Sequence, residues 1–111
     1  MVKNERTRYI LFKIIKEENH HFEKQDFLNF VWQSIWKYFG IKEANKIGLW
    51  LVDLNLQKNF VIIRCTHKTK EILITALTFL SEINEKRVIL TPIKSTGTIK
   101  SIQKVKNLIF K

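Results

Sequence analysis

Residues 47–66, IGLWLVDLNLQKNFVIIRCT, decide the reading of this chain. Residues 47–55 and 58–66 are rich in the β-branched and aromatic side chains that strands favour. The link Asn55-Leu56-Gln57-Lys58 is short enough to make them a hairpin. In the first strand Trp50, Val52 and Leu54 alternate with Leu49 and Leu51, so both faces are apolar. A strand with no polar face belongs to a sheet that is covered on both sides.

Working outward, the flanking segments change period. Upstream, residues 24–39 carry Phe27, Leu28, Val31, Trp32, Ile35, Trp36, Tyr38 and Phe39 on about half a helical circumference at about 100° per residue. Gly40 is placed to end that helix, and residues 42–46 suit one further helical turn. Before it, residues 8–16, RYILFKIIK, read as a strand that is again apolar on both faces: Tyr9, Leu11 and Ile15 alternate with Ile10, Phe12 and Ile14. Downstream, the spacing predicts a helix over 68–84, with Ile72, Leu73, Ala76, Leu77, Phe79, Leu80 and Ile83 along one face. Residues 87–94, RVILTPIK, form a fourth strand, and Pro92 suits an edge or a bulge because it has no N–H to give a ladder.

The turn Ser95-Thr96-Gly97-Thr98 leads into a last helix over 99–110, with Thr98 as its N-cap. Ile99, Ile102, Val105, Ile109 and Phe110 share one side of it; Lys100, Lys104 and Lys111 share the other. The order β-α-β-β-α-β plus a C-terminal helix is that of an α+β, ferredoxin-like sandwich. Its two main helices cover one sheet face. The other face needs a cover, which is either the C-terminal helix or a partner protein; Tyr9, Leu11, Phe30 and Trp36 are the candidate contacts for a partner.

The 111 residues fit one domain, with residues 1–7 a short basic arm. An apolar content of 45% supports a real core. No apolar run approaches the ~20 residues of a membrane span, and the N-terminal residues lack the apolar stretch of a secretory signal. A cytoplasmic location is the default expectation. The lone Cys65 sits inside an apolar run and reads as a core residue rather than a reactive thiol.

The formal net charge is +10, and it is segregated: no acidic residue follows Glu85. A one-signed end is suited to a polyanion, most often nucleic acid and less often an anionic membrane or an acidic protein. Lys100 and Lys104 lie one helical turn apart and can follow successive phosphates. The Ser95–Thr98 turn opens the same helix, where backbone N–H groups and hydroxyls can meet one more.

Catalytic patterns are missing. His20 and His21 are adjacent, so on an extended segment they point apart, and no other ligand stands at metal-binding spacing from them. Residues 16–21, KEENHH, lack the glycines and arginine that acylphosphatases, which share this topology, use after the first strand. The third strand has Phe60 but lacks the glycine and later aromatics with which RNA-recognition domains stack bases.

Four pieces in order resemble one family: Arg8-Tyr9-Ile10-Leu11, Phe60-Val61-Ile62-Ile63-Arg64-Cys65, a helix holding Ala76-Leu77, and Gly97-Thr98-Ile99-Lys100. Together they are similar to archaeal ribonuclease P protein component 2, related to a eukaryotic subunit shared by ribonucleases P and MRP, over roughly residues 8–105. Asn59, Thr96 and Thr66 depart from the family's common glycine, serine and basic residue. The resemblance implies a noncatalytic subunit of the ribonucleoprotein endonuclease that removes the 5′ leader of precursor tRNA. The chemistry would be the RNA's, with magnesium bound there and no cofactor on the protein. The implied partners are ribonuclease P RNA, protein component 3 (with two of each chain as the implied assembly), the other ribonuclease P proteins and precursor tRNA, with no membrane.

On that view Arg64, Lys68 and Arg87 join Lys100, Lys104 and the Ser95–Thr98 turn as RNA contacts. Arg64 has a second reading, as a structural charge paired with Asp53 on the neighbouring strand. A competing view of the whole chain is a basic protein-interaction module of another ribonucleoprotein, with no part in tRNA processing.

Overall fold

The computed structural model describes residues 6–111. Its elements are β1 (Thr7–Lys16), α1 (Lys24–Ala44), β2 (Trp50–Asn55), β3 (Phe60–Thr66), a 3-10 turn (His67–Thr69), α2 (Lys70–Phe79), β4 (Glu82–Ile83), β5 (Lys86–Thr96) and α3 (Ile99–Ile109). The strands form one antiparallel sheet in the order β2-β3-β1-β5-β4. Without the two-residue β4 this is the ferredoxin-like order, and the added C-terminal helix is present. Residues 1–5 of the expected basic arm lie outside the described residues, whereas Thr7 and Arg8 already belong to β1.

Side-chain alternation divides the core in two. Ile10, Phe12 and Ile14 of β1, with Val61, Ile63 and Cys65 of β3, face Phe27, Val31 and Ile35 of α1 and Leu73, Ala76 and Leu77 of α2. The opposite side chains, Leu11, Phe60 and Ile62, form a smaller cluster closed by Ile102 of α3, with Tyr9, Val52, Val105 and Phe110 at its margin. The second sheet face is therefore covered, in part, by the chain's own last helix.

The hairpin forms as its sequence indicates. The Asn55 side chain accepts from the N–H groups of Gln57 and Lys58 at 3.0 and 2.8 Å, and Asn59 turns the chain with φ 62°. The side-chain amide satisfies two turn donors, and asparagine tolerates the left-handed region better than most residues. Gly40, with φ 85° and ψ 169°, interrupts α1, after which one more turn runs to Ala44.

The predicted helix over 68–84 is shorter than its periodicity suggests. It gives way at Leu80, whose backbone is extended (φ −69°, ψ 117°), and Glu82 and Ile83 pair with Arg87 and Lys86 as a fifth strand. The linking residues Asn84 and Glu85 both have positive φ, 53° and 70°, the pattern of a two-residue type I′ hairpin turn. Leu80 and Ile83 are both buried, so the same apolar spacing serves a strand here instead of a fourth helical turn. Pro92 lies at a bulge: it pairs with Phe12 while Lys94 pairs with Leu11, leaving Ile93 as the extra residue.

Two stability changes follow. Ile102→Ala removes the one fully buried side chain of α3 and should cost about 2–4 kcal/mol in urea unfolding. Glu85→Gly relieves a left-handed conformation that glycine adopts freely and should stabilise by about 0.5–1 kcal/mol in the same measurement.

Candidate nucleic-acid interface

The charge pattern of the sequence becomes a surface once the strands are assembled. Among β1, β2, β3, β5 and α3 the only acidic residue is Asp53. The same elements carry Arg8, Lys13, Lys16, Arg64, Lys86, Arg87, Lys94, Lys100, Lys104 and Lys106. The remaining described acidic residues lie on the β1–α1 loop, α1, α2 and the β4–β5 hairpin. By alternation Lys13, Arg64, Arg87 and Lys94 join the lysines of α3 on one side of the sheet, against Asp53 and Glu82, while Arg8, Lys16 and Lys86 fall on the other face. The α3 side is therefore predominantly cationic, which raises the local concentration of an approaching polyanion.

Register gathers several of the expected residues at one end of the sheet. Trp50 pairs with Arg64, Arg64 with Tyr9, and Tyr9 with Thr96. This makes a row across β2, β3, β1 and β5, with side chains toward the α3 side, as the flanking Leu11, Phe60 and Ile62 show. Lys68 follows on the 3-10 turn just past β3 and is exposed. The expected Ser95–Thr98 turn is shorter in the structure: Ser95 and Thr96 end β5, paired with Ile10 and Tyr9, and only Gly97 and Thr98 link the row to α3, where Lys100 and Lys104 are exposed. Arg87 stands apart. It is exposed near the opposite end of β5, about 30 Å from Thr96 at strand rise, and pairs in register with Glu82.

The turn before α3 is already bonded internally. Thr98 Oγ1 accepts from the Ser101 N–H at 3.2 Å and donates to Ser101 Oγ at 3.0 Å; Thr96 Oγ1 donates to the Thr98 carbonyl at 2.8 Å. The Thr96 and Thr98 hydroxyls thus shape the helix start, whereas Ser95 Oγ is buried without a hydrogen-bond partner among the described residues. That end also offers backbone N–H groups and the positive end of the helix. A Cβ at Gly97 would stand 2.8 Å from Arg8 Nη1, so glycine lets the turn close against the guanidinium.

Arg64 is half-buried and makes no ion pair with Asp53 or any other carboxylate among the described residues. Its guanidinium carbon lies 5.8 Å from the centroid of the Trp50 ring. The structural pairing that competed for Arg64 is therefore replaced by a cation–π contact.

The apolar candidates separate. Leu11 is fully buried under α3 and offers no surface to a partner. Tyr9 is half-buried at the margin of the same cluster. Phe30 packs against the main core, and Trp36 is 49% exposed and stacks on Trp32 at 6.2 Å. Beside them Tyr38 and Phe79 meet at 5.0 Å, both largely exposed, bordering a shallow cleft of about 190 Å³ with Phe30, Ser34 and Lys37. Tyr38 and Phe79 look unremarkable in sequence, each being one more aromatic at helical spacing. The exposed aromatics of α1 and α2 thus gather on one side, while the α3 side mixes its cations with exposed Ile15, Trp50, Ile89 and Leu108.

The histidines and the cysteine have structural surroundings. His20 is buried and its Nε2–H donates to the Ile83 carbonyl at 3.0 Å, tying the β1–α1 loop to β4; His21 is exposed beside Glu23. Among the described residues no three His, Cys, Asp or Glu side chains stand together as a metal-binding group. Burial pushes the Cys65 thiol up to about 11, with Lys70 and Arg8 pulling weakly the other way. Cys65 should accordingly resist alkylation in the native protein near neutral pH and react within minutes in denaturing urea, a contrast that mass spectrometry reads directly.

Comparison with known proteins places this geometry. Residues 8–106 match the sequence profile of the Rpp14/Pop5 family. The chain is 30% identical over 100 residues to "Ribonuclease P protein component 2" of Pyrococcus horikoshii, spanning 90% of this chain and 82% of that protein. It is 29% identical to the protein of the same name from Pyrococcus furiosus, with the same coverage. In structure it is similar to a chain of yeast ribonuclease MRP solved by cryo-EM. The TM-score is 0.70 at 8% identity, covering 97% of this chain and 96% of the other, a likeness of fold.

Proposed function

The chain belongs to the Rpp14/Pop5 family, and on that premise we propose that it is a noncatalytic protein subunit of a ribonuclease P ribonucleoprotein. In this reading it supports the RNA that removes the 5′ leader of precursor tRNA. The observation that carries the proposal is the sorting of charge in the fold: one sheet face and its covering helix hold two acidic residues, Asp53 and Glu82, against Lys13, Arg64, Arg87, Lys94, Lys100, Lys104 and Lys106. Such a face meets the phosphates of a folded RNA and lowers the repulsion between crowded strands.

Lys100 and Lys104 on α3, with Arg64 and Lys68 at the sheet end, are the proposed phosphate contacts. The contribution is electrostatic: cations fixed on a folded surface take over part of the charge neutralisation that magnesium otherwise supplies to the RNA. Magnesium acts on the RNA in this scheme, and the protein holds no cofactor of its own. The α1–α2 side, with Trp36, Tyr38 and Phe79 exposed, is the proposed seat of a partner protein, ribonuclease P protein component 3, with two copies of each chain as the proposed assembly.

The test is reconstitution of precursor-tRNA cleavage from the cognate RNA and the component 3 partner at low magnesium. Leader removal should appear only when this chain is added. A chain that binds the partner yet leaves cleavage unchanged overturns the proposed role. Lys100→Ala with Lys104→Ala should flatten the salt dependence of RNA binding by about one to two units of log–log slope, and an unchanged slope removes α3 from the interface.

A further inference from the structure

The row at the sheet end contains more than charge. Trp50 remains 61% exposed even though the Arg64 guanidinium lies 5.8 Å from its ring centroid. Exposing an indole forgoes one of the largest hydrophobic gains available to a side chain. Trp50 stands on edge strand β2, so no further strand covers it, and α3 packs over Leu11, Phe60 and Ile62 rather than over this end. Arg64 lies beneath it in register, then Tyr9, both half-buried and so held in place. The result is a planar cation between two aromatic residues, on the cationic side of the molecule, with the outer ring open to solvent.

We propose that Trp50 and Arg64 form a stacking subsite for one unpaired nucleobase of a single-stranded or looped RNA segment. The inference rests on the RNA-binding reading of the α3 side and names what that side recognises beyond phosphate. A base has a π-face to lay on the indole, and its own phosphates meet a field of lysine and arginine in which Asp53 is the one acidic residue of β1, β2, β3 and α3. A protein partner would find the same ring bordering an apolar cleft with Leu28, Trp32 and Leu49. The unpaired guanidinium and the surrounding positive charge favour the nucleotide, since a carboxylate-free apolar insert would leave Arg64 desolvated without a counter-charge. The site differs from the base-stacking scheme of RNA-recognition domains, whose aromatics lie on the central strands. Here the corresponding position, Phe60, is buried beneath Phe110 at 5.2 Å, and the open aromatic has moved to the edge strand.

The stack tolerates any base, so the subsite selects unpaired over paired RNA rather than one sequence over another. The experiment compares binding of a short oligouridylate with that of a blunt RNA duplex of equal phosphate number, using the full chain. Trp50→Leu should weaken oligouridylate binding about tenfold and leave duplex binding and both salt slopes unchanged. Trp50→Phe should restore most of the loss. Arg64→Lys keeps the charge but not the planar fork and should also weaken the oligouridylate selectively. Thermal unfolding of each variant should stay within a few degrees of the parent, because Trp50 contributes little to the core. Equal binding of oligouridylate by Trp50→Leu and the parent overturns the subsite while leaving the cationic face intact. Loss of partner-protein binding by Trp50→Leu without loss of oligouridylate assigns the ring to a protein contact and likewise overturns it. Failure of the parent to bind either RNA above a lysine peptide of equal charge overturns the RNA-binding reading itself.

Discussion

The central strands have no polar face, and the architecture answers that constraint. Ile10, Phe12, Ile14, Val61, Ile63 and Cys65 point one way, and Leu11, Phe60 and Ile62 point the other. An antiparallel sheet with one wet face would leave one of these sets in water. Two amphipathic helices bury the first set. The second set is small, and one helix docked by Ile102 is enough to seal it. The C-terminal helix is therefore a structural necessity, and because it carries lysine on its outer side it also turns a hydrophobic liability into a cationic surface.

That arrangement separates two kinds of contact on a small molecule. Apart from Asp53 and Glu82 the described acidic residues sit on α1, α2 and the adjoining loops, interleaved with lysines, and the exposed aromatics Trp36, Tyr38 and Phe79 sit on α1 and α2 too. The opposite side is predominantly positive, with Ile15, Trp50, Ile89 and Leu108 exposed among its cations. Mixed charge around an apolar patch is how protein interfaces are composed, and an excess of positive charge is how RNA-facing surfaces are composed. One chain presenting both, on opposite sides of one sheet, is suited to be held between an RNA and another protein.

Most of the fold was legible because its signals are local. The two-period pattern of residues 8–16 and 58–66, the glycine at 40 and the threonine cap at 98 each specify a conformation within a few residues. The β4–β5 hairpin was not legible. Ala76, Leu80 and Ile83 continue a helical spacing with no glycine or proline to stop it, and the turn at Asn84-Glu85 uses a residue, glutamate, that rarely adopts positive φ. The candidate site was legible as charge and only partly as position. Leu11 and Phe60 look alike with Trp50 in a linear reading, and only register and the docking of α3 bury the first two and leave the third open. Arg64 likewise had two equal readings until Trp50, rather than Asp53, proved to be its neighbour across the strand.

The bulge at Ile93 bears on how the molecule behaves in a crowd. Beyond the two-residue β4, the outer edge of β5 is uncovered, and a long bare edge is a template for another chain to pair along. Pro92 interrupts the run of donors, the bulge bends the strand out of the plane another strand would need, and Lys94 adds repulsion between identical edges. A protein that keeps apolar and aromatic groups exposed for its partners thus makes its longest edge a poor seed for fibrous self-assembly.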